Sequence, residues 1–155
     1  MIYMGIPEDK RVLEAIGKIA LRHGQLDYSM KMAVRTLSRV TIDEAIDATE
    51  RQSSRELRER VRRLARKRIG DGEAFVRLEA ILERARRATD RRNELLHGLW
   101  AQELDGDPVV RSSGRAFGPI PSAEELETLA DTLAEIGKTL TIARLDGFLR
   151  EALAS

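Results

Sequence analysis

The sequence predicts a single all-α domain over residues 1–155: an antiparallel four- to five-helix bundle with a small β-hairpin inserted before the last helix. Three observations predict it. Apolar residues recur in alternating four- and three-residue steps along most of the chain. Capping residues and glycines punctuate that pattern at intervals that suit long helices joined by short turns. Late in the chain an Asp-Gly pair between two short apolar runs interrupts it. A chain of 155 residues is also long enough to bury a sizeable core.

The first stripe is Val12, Ile16, Ile19, His23, Leu26, Met30, Ala33 and Leu37. With Pro7 near its start and a break at Thr41, it places a helix over roughly residues 8–39. Gly17 and Gly24 each weaken that helix by about 1 kcal/mol relative to alanine. Thr41 followed by Glu44 reads as a capping box opening a short helix to about Thr49. A basic helix starts near Ser54, turns Leu57, Val61, Leu64 and Ala65 inward, and ends at Gly70-Asp71-Gly72. The next helix runs from about Glu73 to His97, with the stripe Phe75, Leu78, Leu82, Ala85, Thr89, Arg92, Leu96 and Leu99. Gly98 fits a left-handed C-terminal stop. Residues 99–103 and 108–112 flank Asp105-Gly106, a two-residue turn signal, and form the hairpin. Gly114, Gly118, Pro119 and Pro121 make an irregular connection. Ser122 with Glu125 then opens the last helix, carrying Leu126, Leu133, Ile136, Leu140 and Phe148, with Gly147 bending or ending it.

Composition excludes several chemistries. There is no cysteine, which removes disulfides, thiolate metal sites and cysteine nucleophiles. Two histidines are too few for a histidine-rich metal cluster, although carboxylates are plentiful enough to hold magnesium. No metal ligand set and no cofactor is expected. No apolar run is long enough to span a bilayer, and Met1-Ile2-Tyr3-Met4-Gly5 does not read as a signal peptide. The expectation is a cytoplasmic protein without a membrane partner.

Net charge is +1, yet it is unevenly spread. Residues 1–50 carry 7 basic and 8 acidic side chains, residues 51–100 carry 15 and 8, and residues 101–155 carry 5 and 10. The middle third is therefore a basic belt, densest at Arg55, Arg58, Arg62, Arg63, Arg66, Lys67 and Arg68. Such a belt suits a polyanionic partner such as RNA or a nucleotide. It equally suits a solvated face paired with Glu56 and Glu59, or self-association with the acidic C-terminal third.

The hexad Arg92-Asn93-Glu94-Leu95-Leu96-His97 carries the most chemistry. Arg92 falls in an apolar stripe, where stripping a guanidinium of water costs several kcal/mol unless it is paired or hydrated. Asn93 is the only asparagine in the chain. An arginine and a nearby histidine are the parts needed to hold a phosphodiester and move its protons.

The pattern Arg92-Asn93-x-x-x-His97, followed by Gly98-Leu99-Trp100, resembles the HEPN superfamily. The opening helix with Gly24-Gln25-Leu26-Asp27-Tyr28 is similar to that of small HEPN-like bacterial proteins, in which an acidic residue commonly stands at the place of Asp27. The resemblance in helix order covers most of the chain. It implies a four- to five-helix bundle that dimerises. It also implies a metal-independent ribonuclease of toxin–antitoxin or phage-defence type, with a nucleotidyltransferase-type antitoxin as a partner. Other members of the superfamily are non-catalytic binding or scaffolding modules. Aspartate rather than the more usual glutamate stands at the acidic position.

Those residues fit metal-free cleavage of RNA by its own 2′-hydroxyl. His97 can act as base or acid, because histidine titrates near neutrality. Arg92 can clamp the phosphate in two-point fashion. Asn93, one turn before His97, can orient its ring or bond the substrate. Arg92 and His97 are about 140° apart around the helix, so they do not stack on one spot. A two-fold dimer would supply the second imidazole.

Structural roles compete with these. His97 near a helix end can cap carbonyls. Arg92 can pair with a buried acid such as Asp27, and Trp100 can plug the core. His23, one turn before Asp27 on an apolar face, reads as a satisfied core histidine. The first and third long helices could nevertheless bring His23 or Asp27 near Arg92.

Overall fold

A computed structural model describes residues 1–112 and 114–155. In chain order the elements are β1 (Ile2–Tyr3), α1 (Lys10–Ser38), α2 (Ile42–Thr49), α3 (Ser54–Ile69), α4 (Glu73–Leu96), β2 (Leu99–Glu103), β3 (Pro108–Arg111), β4 (Gly118–Pro119), α5 (Ala123–Asp146) and α6 (Phe148–Ala154). The protein is thus mostly helical, with a small antiparallel sheet.

Local chemistry sets most boundaries. The Asp9 carboxylate accepts from Arg11 N at 2.9 Å and caps α1. Arg39 ends the helix in the left-handed region, at φ 57°. The capping box expected at Thr41 and Glu44 is present in both directions. A second capping box, Ser53 with Glu56, fixes the start of α3, and Gly70 at φ 72° closes it. Ser122 Oγ accepts from Glu125 N at 3.1 Å at the start of α5.

The expected stripes form the core. Ile19, Leu26, Met30 and Leu37 of α1 meet Leu57 and Val61 of α3, Leu78 and Leu82 of α4, and Leu133, Ile136 and Leu140 of α5. Each such fully buried aliphatic side chain contributes roughly 1.5–3 kcal/mol.

α1 and α5 run in the same direction. Arg11 reaches Glu124 and Glu127 at 3.1 and 3.0 Å near the starts of α1 and α5, whereas Arg144 bonds Thr36 at 3.3 Å near their ends. The two longest-packed helices are therefore parallel, correcting the expectation of a wholly antiparallel bundle. α4 runs antiparallel to α5, with Arg84 on Glu135 and Arg91 beside Glu124, and the short α2 stands as a separate step between α1 and α3, so the first and fifth helices share a direction. α3 and α4 are antiparallel, with Arg62 on Glu79 and Arg66 over Phe75.

The hairpin is part of a larger sheet. β2 and β3 pair as expected, but β1 adds beside β2 and β4 beside β3, giving a four-stranded order β1-β2-β3-β4. Two-residue edge strands leave too little sequence for alternation to register. At the turn only Asp105 takes a positive φ, 59°, and Glu103 N donates to Asp107 O at 3.2 Å. The connection is therefore wider than the two-residue turn expected.

Gly98 is a further correction. It is not in the left-handed region. A Cβ at this position would lie 2.8 Å from Glu94 O and 3.2 Å from Arg111 O. Glycine is required there by close backbone approach between the end of α4 and β3, not by dihedral freedom. Trp100 Nε1 donates to Leu95 O at 2.7 Å, satisfying a carbonyl the helix end leaves open. The ring packs against the core, as a plug does. At the other boundary, Gly147 ends α5, so Phe148 belongs to a separate helix.

Candidate functional site

α1, α3 and α4 enclose a polar cavity of about 500 Å³. His23 and Asp27 enter from α1, one turn apart. Thr89, Asp90, Arg92 and Asn93 enter from α4. Gln52 and Ser53 precede α3, and Ser54, Arg55 and Arg58 come from its first turns. The Ser53–Glu56 capping box decides where α3 begins, and so places Ser54 opposite Asp27.

The hydrogen bonds on the α1 wall are closely specified. Ser54 Oγ donates to Asp27, lying 2.8 and 2.9 Å from its two carboxylate oxygens. His23 Nε2 lies 3.2 Å from Thr89 Oγ1 and 3.5 Å from Ser54 Oγ, and Nδ1 is 3.9 Å from Asp27 Oδ2. His23 is only 6% exposed. Burial holds its imidazole below the ordinary histidine value, opposed by Asp27 and reinforced by the positive charges of Arg92 and Arg58. It is the satisfied histidine expected, although its neighbours form a site.

Two arginines face this cavity without a neutralising acid. Arg92 is half-buried and donates from Nη1 to Asn93 Oδ1 at 3.0 Å, while its Nε is buried without a partner. Asp27 does not pair with it, being engaged by Ser54. Arg58 is 7% exposed, and burial pulls its guanidinium below the usual value while Asp90 and Asp27 counteract this at longer range. Asp90 itself bonds Arg86 at 2.8 Å. Among the described residues no carboxylate stands within ion-pair distance of Arg58 or Arg92. Three arginines therefore share the cavity with two carboxylates that are both engaged elsewhere.

The expected site residues divide accordingly. Arg92, Asn93, Asp27, His23, Arg55 and Arg58 come together. His97 does not line the cavity: it is the exposed C-terminal cap of α4, its backbone N–H donating to Asn93 O at 3.0 Å. Its ring makes no hydrogen bond among the described residues, so it does not cap carbonyls. Asn93 orients Arg92 rather than the ring of His97. The belt also splits. Arg62 is held by Glu59 and Glu79, and Arg66 by Asp71 and the Phe75 ring. Arg63 is exposed and outside the cavity. Gln52, Ser53, Ser54, Thr89 and Asp90 are the lining residues that sequence reasoning missed. Thr89 lies in the α4 stripe one turn before Arg92 and Asn93, and that polar interruption was the available signal.

Another cavity, of about 450 Å³, is lined largely by Leu95, Pro121, Leu126 and Leu129, and its Arg91 pairs with Glu94 at 3.0 Å. It offers less chemistry. No helix is long and apolar enough to cross a membrane among the described residues. Comparison with protein-family models, curated proteins and solved structures finds no match to this chain.

Proposed function

We propose that this chain is a metal-independent endoribonuclease of HEPN type that acts as a homodimer in the cytoplasm, as the toxin of a toxin–antitoxin or phage-defence pair. The observation that supports it most is the state of the two ends of the hexad. Arg92 presents an unneutralised, half-buried guanidinium to a polar cavity, and His97 leaves its imidazole in solvent without an internal partner. Buried polar groups that serve only the fold are normally paired, so the unpartnered Nε of Arg92 is the part of this observation that points to a ligand.

In the proposed reaction Arg92 holds the non-bridging oxygens of the phosphodiester, where charge accumulates in the transition state. A neutral His97 takes the proton of the 2′-hydroxyl as that oxygen attacks phosphorus. The bond from phosphorus to the 5′-oxygen breaks, and a protonated imidazole gives that oxygen its proton. The products are a 2′,3′-cyclic phosphate and a 5′-hydroxyl. One His97 cannot serve both ends at once, so a second copy of the chain supplies the other imidazole. A nucleotidyltransferase-type antitoxin is the partner in keeping with this reading. Incubation with RNA in EDTA should yield cyclic-phosphate ends, and His97→Ala should abolish them. Cleavage that persists in that variant rules the assignment out.

One observation favours a second reading, a non-catalytic RNA- or nucleotide-binding module. His97 is outside the cavity that holds Arg92. Salt-dependent retention of RNA without any cleavage would select it.

A further inference from the structure

We infer that the first turn of α3 and the Arg58 side chain form a phosphate-binding subsite separate from Arg92, which holds an RNA backbone phosphate next to the scissile one. The identity of the ligand as RNA rests on the ribonuclease reading, whereas its chemistry, a phosphate group, does not.

Three observations converge on this place. First, α3 is a 16-residue helix whose N-terminus opens on the cavity. Its capping box uses Glu56 N, which donates to Ser53 Oγ at 3.2 Å, and Leu57 N donates to Ser53 O at 2.9 Å. The N–H groups of Ser54 and Arg55 are the ones left open at this end, and the helix dipole adds partial positive charge there. Second, Arg58 lies one turn on, and helical side chains lean toward the N-terminus. Arg58 and that first turn line the same cavity. Arg58 is more than nine-tenths buried and has no hydrogen bond or ion pair among the described residues. A buried, unneutralised guanidinium is costly unless an anion completes it. Third, the two acids nearest this turn already hold other partners, Glu56 accepting from Ser53 N at 2.7 Å in the capping box and Asp27 accepting from the Ser54 hydroxyl, and neither is ion-paired with Arg58.

A planar guanidinium and open backbone N–H groups lining one cavity are donors that suit a tetrahedral phosphate. The cavity, about 500 Å³, has room for this group and for a second phosphate on Arg92 across it. Arg58 would thus leave the solvated belt and become an anchor for substrate.

The test uses the full chain with inorganic phosphate at constant ionic strength. Phosphate should raise the melting temperature of wild type and of His97→Ala alike. Arg58→Met should lose that rise, and Arg58→Lys should keep part of it. On RNA, Arg58→Met should raise KM about tenfold, with kcat nearly unchanged, as loss of one charge-assisted contact predicts. Should Arg58→Met not fold, phosphate titration of wild type is read at the backbone amides of Ser54 and Arg55. An equal thermal rise in Arg58→Met, or no response of those two amides, overturns the subsite. A mononucleotide that displaces phosphate as well as a tetraribonucleotide overturns the RNA assignment. Phosphate binding without RNA cleavage refutes the ribonuclease reading and leaves the subsite standing. Cleavage without phosphate binding does the reverse.

Discussion

The Ser54 hydroxyl donates to Asp27, lying 2.8 and 2.9 Å from its two oxygens, and among the described residues this acid, which α1 brings to the cavity, forms no ion pair with Arg92. Ser54→Ala should therefore do two things. Loss of a hydrogen bond to a charged group costs about 1.5–3 kcal/mol at most, less where solvent reaches the acid, and is read by urea unfolding. The released carboxylate should then swing toward Arg92 and weaken retention of RNA. Unchanged RNA binding in a folded Ser54→Ala protein would falsify the blocking role.

Asn93 acts through Arg92. Removing it by Asn93→Ala frees the guanidinium that its side-chain oxygen holds at 3.0 Å. On the proposed ribonuclease reading, RNA cleavage should fall about tenfold, equivalent to about 1.4 kcal/mol in the barrier, with an unaltered pH profile because no titrating group changes. Arg92→Ala should cost about 10²–10³ in kcat, the usual loss on removing a donor to the developing charge. A shifted pH profile in Asn93→Ala would instead tie that residue to the imidazole.

His23 makes stability pH-dependent. Its folded-state value is depressed, chiefly by burial, so between that value and the unfolded value, about 6.5, the unfolded chain binds more protons. Its contribution is present above pH of about 6.5 and is lost as pH falls from there toward the folded value. The charged groups that face it are Asp27, Arg92 and Arg58. Unfolding free energy measured between pH 7 and pH 5 should decline more steeply in wild type than in His23→Gln. Equal slopes would remove His23 as the cause.

Gly98→Ala tests the junction that positions His97. The added methyl group meets Glu94 O at 2.8 Å and Arg111 O at 3.2 Å, both backbone atoms that cannot rotate away. Destabilisation of about 1–3 kcal/mol is expected. Cleavage should fall further than stability alone explains, because the end of α4 shifts relative to β3. A neutral substitution would mean that the two backbones separate easily.

The helices were legible because their causes are local. Val12 to Leu37 repeats on one face, and Thr41 with Glu44 marks a start in four residues. Even the plug role of Trp100 follows from its place just past a helix end. Less visible were β1 and β4, whose two residues each hold no period, and the parallel run of α1 and α5, which follows only once the short α2 is counted as a separate step between α1 and α3. Gly98 was read as a left-handed stop, whereas the close approach of Arg111 that calls for glycine is invisible from residues 93–99.

By itself the sequence determined a helical core, a late hairpin, the basic middle third and the one arginine–asparagine–histidine cluster, all of which are properties of neighbours in the chain. Only the tertiary structure decided which charges stay unneutralised. Arg62 and Arg66 found carboxylates and Arg58 and Arg92 did not, although all four look alike in sequence. Coulomb attraction and desolvation depend on distance through space. The acids that face a given arginine come from whichever remote segment the packing brings alongside.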